Sequence, residues 1–348
     1  METEHEIHVG DAAAMTAVPD DSVDLVVTSP PYPMIEMWDD LFADLDPAVG
    51  EHLDSGDGDA AYEAMHDALD AVWAELVRVL APGGVAAINV GDATRKVDGS
   101  FQLFPNHAQV IQDLQERGLR PLPDVLWRKP SNRLTKFMGS GMVPPSAYVA
   151  LEHEYVLLFR NGDPRELEPG ADRRYEAAYF WEERNRWFSD LWTDVRGEAQ
   201  DLDHDDLRER SAAFPFELPY RLVNMYSVYG DTVLDPFWGT GTTSLAAMVA
   251  GRNSVGYELD AEFTGVFGDR TAEAPALSRQ KAGERLDAHR RFVREHDDEL
   301  KYDAVNYDFP VKTRQEEDLQ FYEVANVHRE DAAHHGDRFV ATHQPYIE

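Results

Sequence analysis

The stretch "DLVVTSPPYPMIEMWDD", Asp24 to Asp40, decides how the chain is read. Val23–Val27 is a continuous apolar run of strand length, as expected for a strand buried on both faces of a parallel sheet. It ends in Thr28 and Ser29, followed by Pro30, Pro31 and Tyr32. Proline fixes its own φ and has no N–H to donate, so the pair stops any strand or helix. Ser29 then presents a hydroxyl at the C-terminal end of a strand, where open α/β sheets place their ligands. Pro30 presents a carbonyl held in a fixed direction, and Tyr32 a flat face for a heteroaromatic ring. Two acceptors side by side suit an NH2 group with two hydrogens to give. The plain alternative is a turn that merely ends a strand. The chain holds a control in "VPPSAYVAL", Val143 to Leu151. There no apolar strand precedes the prolines and no tyrosine follows directly, and the segment reads as loop.

Outward from this turn, strands and helices alternate. "EIHVGDAAAM" is a strand and a short helical turn, and the acidic segment Asp39 to Asp59 reads as a mobile loop. Met65, Leu69, Val72, Leu76 and Val79 recur at helical spacing before Pro82-Gly83-Gly84. "VAAINVGD" is a buried strand, "HAQVIQDLQERG" a helix closed by Gly118, and "LPDVLWRKP" and "EHEYVLLFRNG" two more strands. Residues 163–210 are irregular, aromatic and charged, and read as an insert. The rhythm resumes with a helix over "ELPYRLVNMYSVYG", then strand, loop, helix and strand up to "SVGYELD". This alternation argues a doubly wound, mostly parallel α/β sheet. Past Phe267, "LSRQKAGERLDAHRRFVREH" reads as a surface-lying helix, and the stretch around Tyr302–Val327 as edge strands.

Composition narrows the function. The 348 residues contain no cysteine, which removes disulfides, zinc–thiolate sites and cysteine nucleophiles. No apolar run approaches the about 18–20 residues of a membrane helix. The acidic start "METEHEIHVGD" is no signal peptide, so a cytoplasmic protein is expected. Net charge is −34, with the acid spread along the chain and only 6 lysines among 32 basic residues. That pattern suits a halophile's surface, where molar salt shortens the Debye length to about 3 Å.

A second turn carries chemistry. In "VLDPFWGTGTT", Val233 to Thr243, a strand ends at Asp235 and a Gly239-x-Gly241 loop opens a helix. Such glycines let backbone approach a ligand closely, and the helix start offers free N–H groups. Ser244 stands where a dinucleotide fingerprint needs a third glycine, and no Gly-Lys-Ser/Thr follows as in a P-loop. Glu258, ending the next strand, fits a pair of ribose hydroxyls. The plain alternative here is an ordinary strand–turn–helix.

An exocyclic amine of a nucleobase meets the demands of the first turn. Its lone pair is delocalised into the ring, so it is a poor nucleophile. Two fixed acceptors could turn it out of conjugation and aim it at an electrophile, which is catalysis by positioning. A paired base must first be flipped out of the duplex.

Ser-Pro-Pro-Tyr at 29–32 together with Asp-Pro-Phe-Trp-Gly-Thr-Gly-Thr at 235–242 resembles the amino-methylating, S-adenosylmethionine-dependent DNA methyltransferases. The catalytic motif precedes the cofactor motif with an insert between them, as in the circularly permuted β group. "RVLAPGG", "LWRKPSNR", "EHEYVLLFRNG" and "FPFELPYRLV" match in the same order. The resemblance covers roughly residues 5 to 265 and implies a Rossmann-like sheet with the strands of Ser29 and Asp235 side by side. It implies a catalytic half over 1–162, a target-recognition insert over 163–212 and a cofactor half over 213–266. The extension 267–348 is left without a role. Ser29 and Pro30 would accept from the target amine, with Pro31 completing the turn and Tyr32 stacking on the base. Asp235, Pro236, Phe237, Gly239 and Gly241 would line the methionine side of S-adenosyl-L-methionine, with Thr242 beside them. Glu258 would hold the ribose, Asp11 would lie near the adenine amine, and Phe214 and Pro215 would close over the methionine end. No metal is implied.

Serine at the first motif position is commonest among cytosine-N4 enzymes, with adenine-N6 as the alternative. Cytosine-C5 methylation needs a cysteine, and none exists. "TSPPYPMIEMWD" is also similar to archaeal N4-cytosine enzymes acting on CTAG. Duplex DNA is the implied partner. A cognate restriction endonuclease and a homodimer are allowed but not required. Candidate DNA contacts are Arg128, Lys129, Arg133 and Lys136 in one basic run. Further candidates are Arg173, Arg174, Arg184 and Arg186, set among Tyr179, Phe180, Trp181 and Trp187. Arginine forks read guanine, and aromatic side chains wedge where a base has left. The alternative pairs these arginines with Glu182, Glu183 or Asp194.

Overall fold

The computed structural model describes residues 1–129, 140–168, 170–196, 214–296, 300–331 and 336–347. The early strands are β1 (Glu2–Val9), β2 (Val23–Thr28), β3 (Leu80–Val90), β4 (Ala93–Val97) and β5 (Ser100–Phe104). Next come β6 (Arg120–Pro121), β7 (Val125–Arg128), β8 (His153–Arg160), β9 (Leu191–Trp192), β10 (Thr232–Asp235) and β11 (Asn253–Glu258). The last are β12 (Tyr302–Asp303), β13 (Pro310–Val311), β14 (Tyr322–Asp331) and β15 (Gly336–Pro345). Helices α1 (Asp39–Leu45), α2 (Pro47–Ser55), α3 (Gly58–Val79) and α4 (Asn106–Glu116) precede the insert. Within and after it come α5 (Asp172–Glu176), α6 (Trp181–Trp187), α7 (Glu217–Tyr226), α8 (Thr242–Val249), α9 (Ala261–Thr271) and α10 (Ala274–Glu295).

One large sheet runs β14-β15-β1-β11-β10-β2-β3-β8-β7-β9. Its centre, β1-β11-β10-β2-β3, is parallel. Both flanks turn antiparallel, through β15 on β1 and β8 on β3. The late strands β10 and β11 therefore lie between the early strands β1 and β2. Val233 sits opposite Leu25 and Leu234 opposite Val26, which puts the Ser29 and Asp235 turns side by side.

Strand β2 is apolar throughout because both its faces are covered. Leu25 and Val27 pack with Leu218 and Leu222 of α7 and Leu245 and Met248 of α8. Val23 and Val26 pack with Leu69, Val72, Trp73 and Leu76 of α3. Each such side chain is worth about 1.5–3 kcal/mol of burial.

Three expectations need correction or refinement. Residues 39–59 are not a loop but α1, α2 and the start of α3. Asp46 Oδ1 accepts from Ala48 N at 2.9 Å with Pro47 in the first turn, Gly56 closes α2 at φ 79°, and Phe42 and Val49 are fully buried. The helix after Phe267 lies at the surface with one face turned inward, where α10 buries Ala282, Arg285, Leu286 and His289. Of the edge strands expected around Tyr302–Val327, the one on the main sheet starts there at Tyr322 and runs on to Asp331. There β12 and β13 form a small separate ribbon, and β14 and β15 extend the main sheet. Among the described residues no helix is long and apolar enough to cross a membrane.

Candidate active site

The turn after β2 is held by side chains. Ser29 Oγ lies 2.9 Å from Tyr32 Oη and 3.1 Å from the Asn89 carbonyl oxygen at the end of β3. Tyr32 Oη donates to Glu154 Oε2 of β8 at 3.2 Å. Asn89 Nδ2 donates to Tyr32 Oη and to Glu154 Oε2, both at 2.8 Å. Gly91 lets the ring in: a Cβ there would stand 3.0 Å from Tyr32 Cε2 and 3.2 Å from Glu154 Cγ. Burial first, then the Glu154 carboxylate, push the Tyr32 phenol well above its ordinary pKa. Asn89 and Glu154 escaped the sequence reading. Their signal was a polar residue ending each of two otherwise apolar strands, in "AAINVGD" and "EHEYVLLF".

The loop after β10 is held by the packing of one large ring and by hydrogen bonds from Arg270 and to Glu258. Gly239 and Gly241 take φ 55° and 75°, in the left-handed region that glycine tolerates. Between them and the sheet lies buried Trp238, whose Nε1 donates to Ser244 Oγ at 2.8 Å. A Cβ on Gly256 of β11 would stand 2.1 Å from Trp238 Cδ1, and one on Gly241 2.6 Å from Trp238 Cζ2. Arg270 of α9 donates to the Thr240 carbonyl at 2.6 Å and to Thr242 Oγ1 at 3.1 Å. Glu258 accepts from Gly239 N at 2.7 Å on one oxygen and from Asp260 N at 3.0 Å on the other.

One buried carboxylate joins the two turns. Asp235 accepts from Thr28 Oγ1 at 2.6 Å, Thr243 Oγ1 at 2.7 Å and Phe237 N at 3.1 Å. Burial outweighs these bonds and raises its pKa from 3.8 to about 6.

The remaining cofactor candidates lie along the same edge. Val9 pairs with Glu258, and Gly10 N donates to the Glu258 carbonyl at 2.9 Å. Asp11 follows, exposed, with Oδ1 accepting from Ala13 N at 2.8 Å. Asp11, Glu258, Gly239 and Ser29 thus stand beyond the C-terminal ends of four consecutive parallel strands, spanning roughly 14 Å. Open space lies where a Cβ would project from Gly10, and the nearest atom to one on Gly239 is Phe237 O at 4.0 Å. Phe237 is half-buried and meets Trp73 edge-on, while Pro236 and Thr242 are buried. Phe214 and Pro215 are also buried, and Phe214 joins the core cluster of Leu25 and Val27. This edge, with exposed acid groups and glycines facing open space, fits an elongated ligand bearing a nucleoside.

The candidate DNA contacts are more mixed. Arg128 pairs with Glu152 at 3.2 Å, and Lys129 with Glu154. Arg133 and Lys136 lie outside the described residues. Arg174 and Arg184 are exposed, Arg173 stands 4.0 Å from Asp231, and Arg186 3.9 Å from Asp194. Glu182 and Glu183 do not take the insert's arginines: His289 holds the first and Arg285 the second, both from α10. Arg221 holds Asp194 with both oxygens at 3.0 and 2.7 Å. Phe180 and Trp187 are fully buried and belong to the core, leaving Trp181 exposed and Tyr179 half-buried.

The DNA methylase family N6_N4_Mtase matches residues 23–267, from β2 through both turns into α9. Type II methyltransferase M.MthZI of Methanothermobacter thermautotrophicus is 54% identical over 325 residues, 92% of this chain and 91% of its own length. Type II methyltransferase M.MjaI of Methanocaldococcus jannaschii is 49% identical over 269 residues, 74% of this chain and 88% of its own. Among solved structures, a DNA modification methylase of Thermus thermophilus, TTHA0409, complexed with S-adenosyl-L-methionine, is 34% identical, with a TM-score of 0.60. That match covers 77% of this chain and 93% of the other. With the family match spanning the Ser29 turn, the Gly239 loop and everything between them, the chain belongs to the N6/N4 DNA methylases.

Proposed function

We propose that this DNA methylase moves a methyl group from S-adenosyl-L-methionine to the N4 amine of a flipped cytosine in duplex DNA, within CTAG. The observation that carries the reading is the placement of Ser29 beside the Gly239 loop on adjacent parallel strands, joined through Asp235. Glu258 and Asp11 hold the nucleoside part of the cofactor, and Asp235, Pro236, Phe237, Gly239, Gly241, Thr242, Phe214 and Pro215 lie around its methionine part. Bound there, S-adenosyl-L-methionine supplies an electrophilic methyl group on a sulfonium. Ser29 Oγ and the Pro30 carbonyl accept the two amine hydrogens and aim the nitrogen lone pair at that carbon. Pro31 keeps the turn rigid and Tyr32 supports the flipped base. Arg128, Lys129, Arg173, Arg174, Arg184 and Arg186 contact DNA, in salt high enough to screen the chain's own acid. Serine at the first motif position, where adenine enzymes more often carry Asp or Asn, favours cytosine by resemblance.

The test is incubation of CTAG duplexes with labelled cofactor in molar salt, followed by hydrolysis and mass spectrometry of the nucleosides. Labelled N4-methylcytosine is expected. Labelled N6-methyladenine would replace the cytosine reading with its adenine counterpart, and no labelled nucleoside would sink both.

A further inference from the structure

The partners of Ser29 fix where its proton lies. Across the 3.2 Å contact with Glu154 Oε2, Tyr32 must donate, because a carboxylate oxygen only accepts. Tyr32 has a single hydroxyl proton. Across its 2.9 Å contact with Ser29 it therefore accepts, and Ser29 donates. The other partner open to the Ser29 proton is the Asn89 carbonyl, also inside the protein. Asn89 Nδ2 directs its two hydrogens to Tyr32 Oη and Glu154 Oε2 at 2.8 Å, with Ser29 Oγ farther off at 3.5 Å. Each of these hydrogens points inward, and two converge on one Glu154 oxygen. The other oxygen holds Lys129. Lone pairs of Ser29 Oγ are left for a donor that comes from outside.

We infer that Glu154 is a positioning residue for methyl transfer: through Tyr32 it sets Ser29 as an acceptor and receives the proton that the methylated amine must lose. The inference rests on the reading of Ser29 proposed above. When the nitrogen–methyl bond forms and the sulfur–carbon bond breaks, that bond's electron pair stays on sulfur. The nitrogen is then cationic and holds one proton too many. This proton passes to Ser29 Oγ, the Ser29 proton to Tyr32 Oη, and the Tyr32 proton to Glu154 Oε2. The carboxylate ends neutral and returns the proton to water. Tyr32 suits the middle place, since its raised pKa keeps it a donor at working pH.

Single-turnover methylation of duplex DNA tests this with Glu154→Gln, Glu154→Asp, Tyr32→Phe and the double variant Tyr32→Phe/Glu154→Gln. Glu154→Gln should slow the chemical step about 10- to 100-fold. Affinity for S-adenosyl-L-methionine, measured by calorimetry, should stay unchanged, which also shows that the variant folds. Glu154→Asp should recover part of the rate. The double variant should be no slower than the slower single one, because the two residues act as one unit. A readout independent of turnover is the tyrosine absorbance titration, with Tyr32→Phe as the blank. Tyr32 should ionise at lower pH in Glu154→Gln than in the wild type. An unchanged rate, multiplying effects in the double variant, or an unchanged Tyr32 titration would each overturn the relay while leaving the Ser29 reading intact. A wild-type protein that methylates no DNA amine overturns the reading beneath it, and the relay with it.

Discussion

The Ser29 turn and the Gly239 loop end neighbouring parallel strands, yet they are held in different ways. The Ser29 turn has donor-free prolines in its backbone and is fixed by four polar side chains drawn from β2's end, β3 and β8. The Gly239 loop is fixed by one large apolar side chain, Trp238, lodged against Gly256 and Gly241, by backbone donors on Glu258 and by Arg270 donating to Thr240 and Thr242. The difference matches what the proposed function asks of each. A turn that receives an amine needs acceptors and a defined proton order. A loop that receives a cofactor needs close backbone approach, and so bare glycines over a firm floor. Asp235 is the point where the two systems meet.

The largest expected effect breaks that meeting point. Burial raises the Asp235 pKa from 3.8 to about 6. A carboxyl group raised in the folded state adds stability while it is protonated, and that stability is lost as pH rises through the folded value. The contribution is therefore whole below about pH 4, gone above about pH 6, and worth roughly 3 kcal/mol across that window. Denaturant unfolding of Asp235→Asn and wild type at a series of pH values isolates it. The wild type should lose stability relative to the variant across the window, and a flat difference would refute the assignment.

Ser29→Ala sharpens the contrast from the acceptor side. Turnover should fall about 10²-fold or more while affinity for S-adenosyl-L-methionine stays near normal, the signature of a lost transition-state contact. Steady-state kinetics beside calorimetry read both quantities, and equal losses in the two would merge the turns into one function. The smallest effect comes from the other side. Gly256→Ala places a methyl group 2.1 Å from Trp238 Cδ1, so the tryptophan must shift. Overpacking of this kind costs about 1–3 kcal/mol. Thermal unfolding should show that loss, and cofactor binding should weaken with it. Retained cofactor affinity would show that Trp238 is not the floor of the loop.

The strands bearing both turns were legible because a strand covered on two faces reads as an unbroken apolar run. Their adjacency was not in the spacing, since 207 residues separate Thr28 from Asp235. It came from the resemblance carried by the motifs. Helices α1 and α2 were missed because seven and nine residues are too few for a helical period to stand out, and their acidic caps resemble a solvated loop. The inner face of helix α10 went unread for a different reason. That face holds Arg285 and His289, and a pattern read from apolar residues cannot see a buried charge that has a partner elsewhere. Glu154 belongs to the same class, a charged residue whose meaning lies in the strand beside it.

The Arg285–Glu183 pair, with bonds of 2.6 and 2.8 Å and both partners buried, has a consequence for descent. It fastens residues 170–196 to the C-terminal region, and Phe180 packs there against Leu286, Phe309, Val311 and Phe321. Neither of the two turns takes part in this contact. Sequence drift in residues 170–196 is thus constrained by a distant stretch of the same gene as well as by the sheet beside them, where Trp187, Trp192 and Val195 pack with Leu25 and Val27. The two segments are inherited as a matched set, and a recombination boundary that falls between them separates a lock from its key.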